Sequence, residues 1–374
     1  MRMKNQILLY GNTRKSSDIR YFSGFSIHDD YFFFTLDGKR CALLSPLEIG
    51  RARRTSSLDV FFDFTEVCKL MPSKTPRNYF EALVFILKKN RVRSLEVPAD
   101  FPSLMLEKLR ERNFKVFICE GEFFPEREVK SKFELSEIAK ANAVASECYK
   151  LVEAILRVSK IDKGKLFYKG KLLTSEFLRT EIECLAISLG ADALDTICAS
   201  GEQACDPHEV GRGGICANSL IVCDIFPRLR ESGYYGDMTR TFLKGEPSQK
   251  QSALVDAVLN AQKLALTKIK AGIDGAKVHK DVCDFFEKSG YATKQIKGKW
   301  GGFFHSTGHG LGLDVHEAPS MGIRKSILES GNVITVEPGL YYSKIGGCRI
   351  EDNVVVQKNG IKMLSHYHYN WIID

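Results

Sequence analysis

Short apolar runs alternate with helical patterns over the first third of the chain. Apolar residues recur at helical spacing over residues 79–89 and 104–110. The dipeptide Asp37-Gly38, which tight hairpins favour, joins two of the predicted strands. Strands interleaved with helices predict an α/β domain with a mixed sheet. The predicted strands of this region are residues 6–10, 31–36, 41–44, 94–97 and 116–119.

A second region begins where the apolar pattern gives way to charge, at residues 125–132. Together with the chain length, this predicts two domains, residues 1–128 and 129–374. No catalytic grouping occurs in the first domain, which we expect to shape or cover a site or to dimerise. In the second domain the pattern predicts helices at residues 133–160, 176–189, 251–270 and 276–289, and strands at 219–224, 238–243, 333–336 and 353–357.

Composition excludes several classes of protein. The 374 residues are 44% hydrophobic, and the net charge of +8 comes from scattered basic residues, whereas a nucleic-acid binder concentrates them in a stripe. No apolar stretch approaches the ~20 residues that span a bilayer, and the start has too short an apolar run for a signal peptide. The eleven cysteines contain no CxxC pair, which argues against a zinc ribbon. Scattered thiols predict a reducing compartment, so we expect a cytoplasmic protein without nucleic-acid or membrane partners.

Candidate chemistry concentrates in residues 303–317, FFHSTGHGLGLDVHE. Three of the chain's eight histidines, His305, His309 and His316, fall there among glycines and apolar residues. Imidazole is the commonest nitrogen ligand for metals and carries protons near neutral pH, while glycine lets the backbone approach other groups closely. The segment predicts a metal or catalytic site, and the alternative is a hydrogen-bonded, partly buried histidine cluster.

Carboxylates stand at the ends of four strand-like runs in the second domain: Asp224, Asp237, Glu337 and Glu351. A carboxylate against a β-branched run is costly to bury unless it is paired or binds a metal. A salt bridge or a strand-end turn would explain one such placement equally well. Four of them, together with a glycine-flanked histidine, favour a metal site.

These motifs resemble those of the "pita-bread" metallopeptidases of family M24, which include methionine aminopeptidase, Xaa-Pro aminopeptidase, prolidase and creatinase. Residues 17–25 also resemble the opening of the extra domain in the proline-specific and creatinase branches. The resemblance implies an α/β fold in which a curved antiparallel sheet, backed by helices, has two halves related by an approximate twofold axis, preceded by a smaller α/β domain. The matching segments are residues 224–226, 236–241, 307–317, 337–339 and 349–352.

The resemblance implies that Asp224, Asp237, His309, Glu337 and Glu351 bind two divalent ions. Four carboxylates then balance two ions of charge +2, whereas without metal the carboxylates would repel one another. Oxygen-rich ligation with one imidazole favours manganese or cobalt, with zinc or iron as alternatives. The two aspartates stand 13 positions apart (237 − 224), where the family more often has eleven, and we attribute the difference to a longer hairpin loop.

The resemblance also assigns roles around the metals. His208, His305 and His316 match histidines near the substrate, and Glu337 is both a ligand and the expected proton shuttle. Arg349 and Arg240 are expected to orient ligand carboxylates. Four further histidines match no motif and are interpreted as ordinary: His28, His279, His366 and His368.

The implied activity is removal of the N-terminal residue from peptides with proline in second position. An Xaa-Pro dipeptidase is the alternative, but it must recognise a free carboxylate, and after His316 the first basic residues are Arg324 and Lys325. We therefore favour the aminopeptidase. A metal-free binding module and a creatinase-like amidinohydrolase are disfavoured by the complete ligand set, and a methionine aminopeptidase by the first domain. Relatives with this extra domain usually associate, so a homodimer is expected.

Overall fold

The computed structural model describes residues 5–296 and 298–374. The chain divides into two compact units, Met1–Arg127 and Glu128–Asp374, so the boundary lies one residue before the predicted one. Within the described residues, no helix combines the length and the apolar character that crossing a lipid bilayer requires. All eleven cysteines are free thiols.

The first unit is a six-stranded mixed sheet with helices on both faces. Its strands lie in the order β4-β3-β2-β1-β5-β6, with β1 antiparallel to β2 and parallel to β5. The elements are β1 (Gln6–Gly11), α1 (Ser17–Ser23), β2 (Tyr31–Leu36), β3 (Lys39–Leu44), α2 (Pro46–Thr55), β4 (Val60–Asp63), α3 (Phe64–Leu70), α4 (Tyr79–Lys89), β5 (Ser94–Val97), α5 (Ser103–Glu111) and β6 (Lys115–Ile118).

Strand β2 shows why both faces of this sheet are covered. Phe32 and Phe34 pack against the apolar side chains of α3, α4 and α5, whereas Phe33 points to the other face and packs with those of α1 and α2. Alternate residues of a strand face opposite sides, so the unbroken apolar run needs a layer on each side. The predicted hairpin is confirmed: Asp37 and Gly38 both have positive φ, as its two-residue turn requires.

The second unit contains the remaining elements. They are α6 (Lys132–Val158), β7 (Lys160–Asp162), β8 (Lys165–Tyr168), β9 (Lys171–Leu172), α7 (Ser175–Ser188), β10 (Ala191–Asp192), β11 (Ile197–Ser200), β12 (Ile221–Ile225), β13 (Arg228–Leu229), β14 (Met238–Lys244), α8 (Gln249–Lys268), α9 (Gly275–Lys288), β15 (Lys294–Ile296), β16 (Lys299–Gly301), β17 (Gly308–Gly310), β18 (Glu317–Met321), β19 (Val333–Val336), β20 (Gly339–Tyr342), β21 (Gly346–Arg349), β22 (Asp352–Gln357), β23 (Gly360–Met363) and β24 (Ile372–Ile373).

The second unit repeats one arrangement twice. In the first half, α6 and α7 pack their apolar faces on the sheet β11-β12-β14-β24. In the second half, α8 and α9 pack on the sheet β18-β17-β19-β22-β23. Both sheets are antiparallel except where β14 pairs with β24. Two helix pairs backing two mainly antiparallel sheets match the two-halved fold that the sequence resemblance implied.

Candidate metal centre

The two aspartates belong to neighbouring strands of the first half. Asp224 lies in β12, where its Cα pairs with that of Thr239 in β14, and Asp237 immediately precedes β14. The connection between them folds back on itself, because the Leu229 amide donates to Tyr234 O at 2.9 Å. The two aspartates are therefore joined by a hairpin, as the sequence between them predicted.

Glycines bring His309 against Glu337 in the second half. His309 is the middle residue of β17, and a Cβ on either flanking glycine would collide with main-chain atoms of neighbouring strands. Glu337 follows β19, and its amide donates to Thr307 O at 2.9 Å. The Gly-His-Gly sequence thus places the imidazole beside the carboxylate, with 3.2 Å between His309 Nε2 and Glu337 Oε1.

Glu351 connects the two halves. It stands between β21 and β22 in the second half, and its amide donates to Thr239 O in the first half at 3.1 Å. The hydroxyl of Thr239 also donates to Glu351 Oε2 at 2.7 Å. One threonine therefore fixes both the backbone and the carboxylate of Glu351.

All five candidate ligands line one cleft of about 760 Å³. One side-chain atom each from Asp237, His309 and Glu351 lie within 4.8 Å of one another. Glu337 adjoins this group through His309, and Asp224 is close enough for its charge to raise the pKa of Asp237. The structure therefore brings together the residues that the sequence proposed as metal ligands.

The carboxylates are in electrostatic conflict. Burial, and then the charges of neighbouring carboxylates, raise the pKa of both Asp237 and Glu351 well above the ordinary value. For His309, burial lowers the pKa, but the hydrogen bond and charge of Glu337 outweigh burial and raise it to about 9. Burial raises the pKa of Glu337, yet His309 outweighs that effect and the pKa falls to about 2. Protons therefore partly neutralise the cluster in the absence of cations.

Divalent cations fit this donor set. Asp224 Oδ1 and Glu351 Oε1 are buried, and neither accepts a hydrogen bond from any described residue. His309 Nδ1 lies 3.1 Å from Gly310 O and must donate to it, which leaves Nε2 facing the carboxylates. Buried carboxylate oxygens without donors are costly unless a cation binds them.

Arg349 links the aspartate side of the cleft to His305. Its Nη2 donates to Asp224 Oδ2 at 2.7 Å, and its Nη1 donates to the hydroxyl of Tyr341 at 2.9 Å. That hydroxyl lies 3.0 Å from His305 Nε2, while His305 Nδ1 lies 2.8 Å from Ser306 O. Both nitrogens of His305 are thus engaged within the protein, and burial lowers its pKa to about 4, so the ring is neutral at pH 7.

The other two histidines of the cleft are exposed. The ring of His316 lies across that of His309, with centroids 4.3 Å apart at an interplanar angle of 66°. The ring of His316 is nevertheless partly withdrawn from water, and this partial burial, followed by the charge of His309, lowers its pKa. His208 follows Pro207, whose carbonyl accepts from Arg349 Nη1 at 3.3 Å. Both imidazoles are positioned to meet a molecule in the cleft.

The sequence matches Metallopeptidase family M24 over residues 136–358, which is more than half of the chain. The chain belongs to metallopeptidase family M24. It is therefore a hydrolase, and the family implies divalent metal ions. The first unit lies entirely outside the matched segment, so its relation to known proteins comes from comparisons over the whole chain.

Relatives of this M24 peptidase match along nearly its full length. The Xaa-Pro dipeptidase of Pyrococcus horikoshii is 31% identical over 359 residues, which cover 94% of this chain and 91% of the relative. The prolidase structure from Pyrococcus furiosus has a TM-score of 0.78 at 27% identity, covering 97% of both chains. The X-Pro aminopeptidase structure from Thermotoga maritima has a TM-score of 0.82 at 23% identity, covering 99% of this chain and 97% of the other. The pita-bread fold with the extra domain is thereby established.

Arg240 supports the M24 peptidase site through the backbone. Its Nη1 donates to Glu351 O at 2.6 Å and its Nη2 to Asp352 Oδ1 at 2.8 Å. It also donates to main-chain oxygens of Tyr367 and His368. Arg240 was expected to orient a ligand carboxylate. It instead binds the main chain that carries Glu351 and the carboxylate of the next residue, Asp352.

Several residues around the site were missed from the sequence. Asn142 of α6 accepts from the Asp237 amide at 3.0 Å and from Asn353 Nδ2 at 2.9 Å, so a helix fixes the backbone of one aspartate. Thr239, which holds the Glu351 carboxylate, and Tyr341, which joins Arg349 to His305, were also missed. The one available signal was the polar run Thr239-Arg240-Thr241 within the predicted strand, because Asn142 lies in a segment predicted as an ordinary helix and Tyr341 lies outside every predicted element.

Proposed function

We propose that this M24 peptidase is a dinuclear-metal-dependent exopeptidase that removes the N-terminal residue of peptides with proline in second position. The observation that carries the proposal is one cleft lined by the five candidate ligands and by three further histidines, His208, His305 and His316. The names of the relatives, Xaa-Pro dipeptidase and X-Pro aminopeptidase, support the proline specificity.

The candidate ligands Asp224, Asp237, His309, Glu337 and Glu351 would hold two divalent ions. When bound, such ions polarise a carbonyl group and lower the pKa of water. Manganese is our first choice because the set has four carboxylates and one imidazole, with cobalt, zinc and iron as alternatives. The orphaned oxygens of Asp224 and Glu351 support cation binding at both ends of the cluster.

The remaining chemistry is proton movement and positioning by the chain. Glu337 is the proposed proton shuttle: in its ionised form, which His309 favours by lowering the pKa of the carboxyl group, it would accept a proton from water and pass it to the leaving nitrogen. The leaving nitrogen of an Xaa-Pro bond belongs to a tertiary amide and departs poorly unless it is protonated. His316, whose pKa is lowered, and His208 line the cleft and would contact the scissile group, while Arg349 holds the Asp224 carboxylate.

The charge of the cleft favours an aminopeptidase. Among the described residues that line the cleft there is no lysine, and Arg349 is the single arginine. Its guanidinium already binds Asp224 and Tyr341. A dipeptide substrate would bring a free carboxylate next to the scissile bond without a dedicated cation. The dipeptidase stays the second candidate because the P. horikoshii relative carries that name.

Turnover of two matched peptides separates these candidates. The manganese-loaded enzyme should release glycine from Gly-Pro-Gly-Gly faster than from Gly-Pro, measured as kcat/KM by amino-acid analysis. Hydrolysis of Gly-Pro alone would establish the dipeptidase instead. Loss of both activities in Glu337→Gln would show that the turnover belongs to this cleft, while hydrolysis of neither peptide would overturn the proposed function.

We further propose a cytoplasmic homodimer. Free thiols at all eleven cysteines support a reducing compartment, and the extra domain supports association by the resemblance to relatives that dimerise. Light scattering of the purified chain tests the second statement, and a monomer would contradict it.

A further inference from the structure

A buried ion pair lies behind the loop that carries His316. Lys130 Nζ is 2.5 Å from Glu317 Oε1, and the two side chains are only 1% and 7% exposed. Lysine and glutamate are among the residues least often buried, and a pair withdrawn from water this far is costly to desolvate. Such a pair calls for a reason other than simple stability.

The backbone of Lys130 is fixed by contacts of residues 129–131. Its amide donates to Gly331 O at 2.9 Å, and the preceding Val129 forms a β-bridge with Asn332. The following residue, Ser131, caps helix α6 in a capping box with Glu134. The ammonium group therefore projects from a fixed point between the start of α6 and the chain entering β19.

Glu317 is fixed to the strand that carries His309. It is the first residue of β18 and pairs with Gly310 of β17, next to the point where the register between the two strands shifts. A Cβ at position 312 would collide with the Glu317 carboxylate. This carboxylate can therefore occupy its observed position because residue 312 is a glycine. The glycines of this segment thus serve the Lys130–Glu317 pair as well as His309.

His316 depends on both ends of the loop 311–316. At the near end, the Leu311 amide donates to Val333 O and Gly312 O accepts from the Tyr235 amide. At the far end, His316 is joined directly to Glu317. The contact with the buried ammonium of Lys130 therefore anchors the residue at the far end of the loop that carries the imidazole.

We propose that Lys130 is a positioning residue that acts through Glu317 to hold His316 in the cleft. This inference rests on the proposed peptidase function, in which His316 contacts the scissile group. Misplacing a substrate-contacting side chain by a fraction of its length costs rate rather than affinity for the ground state. Lys130 thereby belongs to the catalytic apparatus although it touches neither the substrate nor a candidate ligand of the metals.

The test compares Lys130→Met in two backgrounds. In the otherwise wild-type enzyme, kcat for Gly-Pro-Gly-Gly should fall about 10- to 100-fold with little change in KM or in bound manganese. In a His316→Ala background the same change should alter kcat by less than about twofold, because the residue through which Lys130 acts is absent. Lys130→Arg keeps the cation and should recover most of the rate. Amide exchange over residues 311–317 should accelerate in Lys130→Met, which is a readout independent of activity.

The controls keep this inference separate from the proposed function. Lys140 forms an ion pair of the same 2.5 Å length with Glu137, but its side chain is 63% exposed, so Lys140→Met should leave kcat unchanged. If Lys130→Met does not fold, Glu317→Gln takes its place, because it removes the charge at constant shape. An unchanged kcat, an equal loss in both backgrounds, or a loss that follows metal content would overturn the inference. Failure of the wild-type enzyme to cleave the peptide would instead overturn the function.

Discussion

The hydroxyl of Tyr149 lies 2.9 Å from the main-chain oxygen of Cys223. It also lies 2.5 Å from Met238 O, and the tyrosine is fully buried in helix α6. Cys223 precedes Asp224 and Met238 follows Asp237. One side chain therefore ties together the two strands that carry the aspartates of the candidate metal centre.

Tyr149→Phe should destabilise the second unit. The change leaves two buried carbonyl oxygens with one donor fewer, which costs about 1–3 kcal/mol in the free energy of unfolding. The midpoint of chemical denaturation measures it. Tyr168 is half-buried and does not line the cleft that contains the aspartates, so Tyr168→Phe is the matched control. An equal loss of stability in the two variants would contradict the assigned role of the Tyr149 hydroxyl.

Tyr341→Phe should impair catalysis more than stability. Its hydroxyl joins Arg349, which holds Asp224, to His305, and removing it frees both partners. We expect kcat/KM for Gly-Pro-Gly-Gly to fall about 10- to 100-fold, the usual cost of losing a group that orients a metal ligand. The neighbouring Tyr342 donates to Ala292 O away from the cleft, so Tyr342→Phe should stay near wild type. Similar activities for the two variants would show that the Tyr341 hydroxyl is dispensable.

The metal-free protein should lose stability as the pH rises from 6.5 to 9. The folded-state pKa of His309 is raised from 6.5 to about 9, so its contribution is fully present below pH 6.5 and is lost as the pH passes through 9. The raised pKa values of Asp237 and Glu351 act in the same direction, because the folded state holds their protons more tightly. Melting temperatures of chelator-treated protein across this range provide the measurement.

The same pH series on two other samples serves as the control. Manganese-loaded protein should show a smaller decline, because cations replace the protons, and His309→Gln should lack the part that His309 contributes. A constant melting temperature for the metal-free wild type would contradict the electrostatics derived for the site.

The sequence predicted regular elements best where one periodicity ran unbroken. Helix α4 and strand β19 have the predicted bounds, and the long helix 133–160 is observed as Lys132–Val158. Helices α1, α2 and α3 were missed. Helices α1 and α3 have seven residues, too few to show a helical period, and α2 buries only Ile49 and Ala52 and so has no apolar stripe. The two-residue strands, such as β10, depend on partners distant in the chain and have no local signature.

The candidate site could be predicted further than its surroundings. Its acidic residues stand beside apolar strands and His309 between glycines, patterns that packing alone rarely explains. Lys130 gave no such signal: it lies in a charged stretch interpreted as a boundary, yet its side chain is buried. The burial of such a residue depends on contacts with segments that are distant in the chain. The periodicity of its own segment contains no information about those contacts.

Metal stoichiometry tests the central claim most directly. We expect chelator-treated protein dialysed against manganese to hold two equivalents, measured by elemental analysis, and its peptidase activity to rise with occupancy. Glu351→Gln removes one carboxylate and should hold less metal while staying folded. Less than one equivalent in the wild type, with no activity after manganese addition, would contradict the account and favour a metal-free binding module.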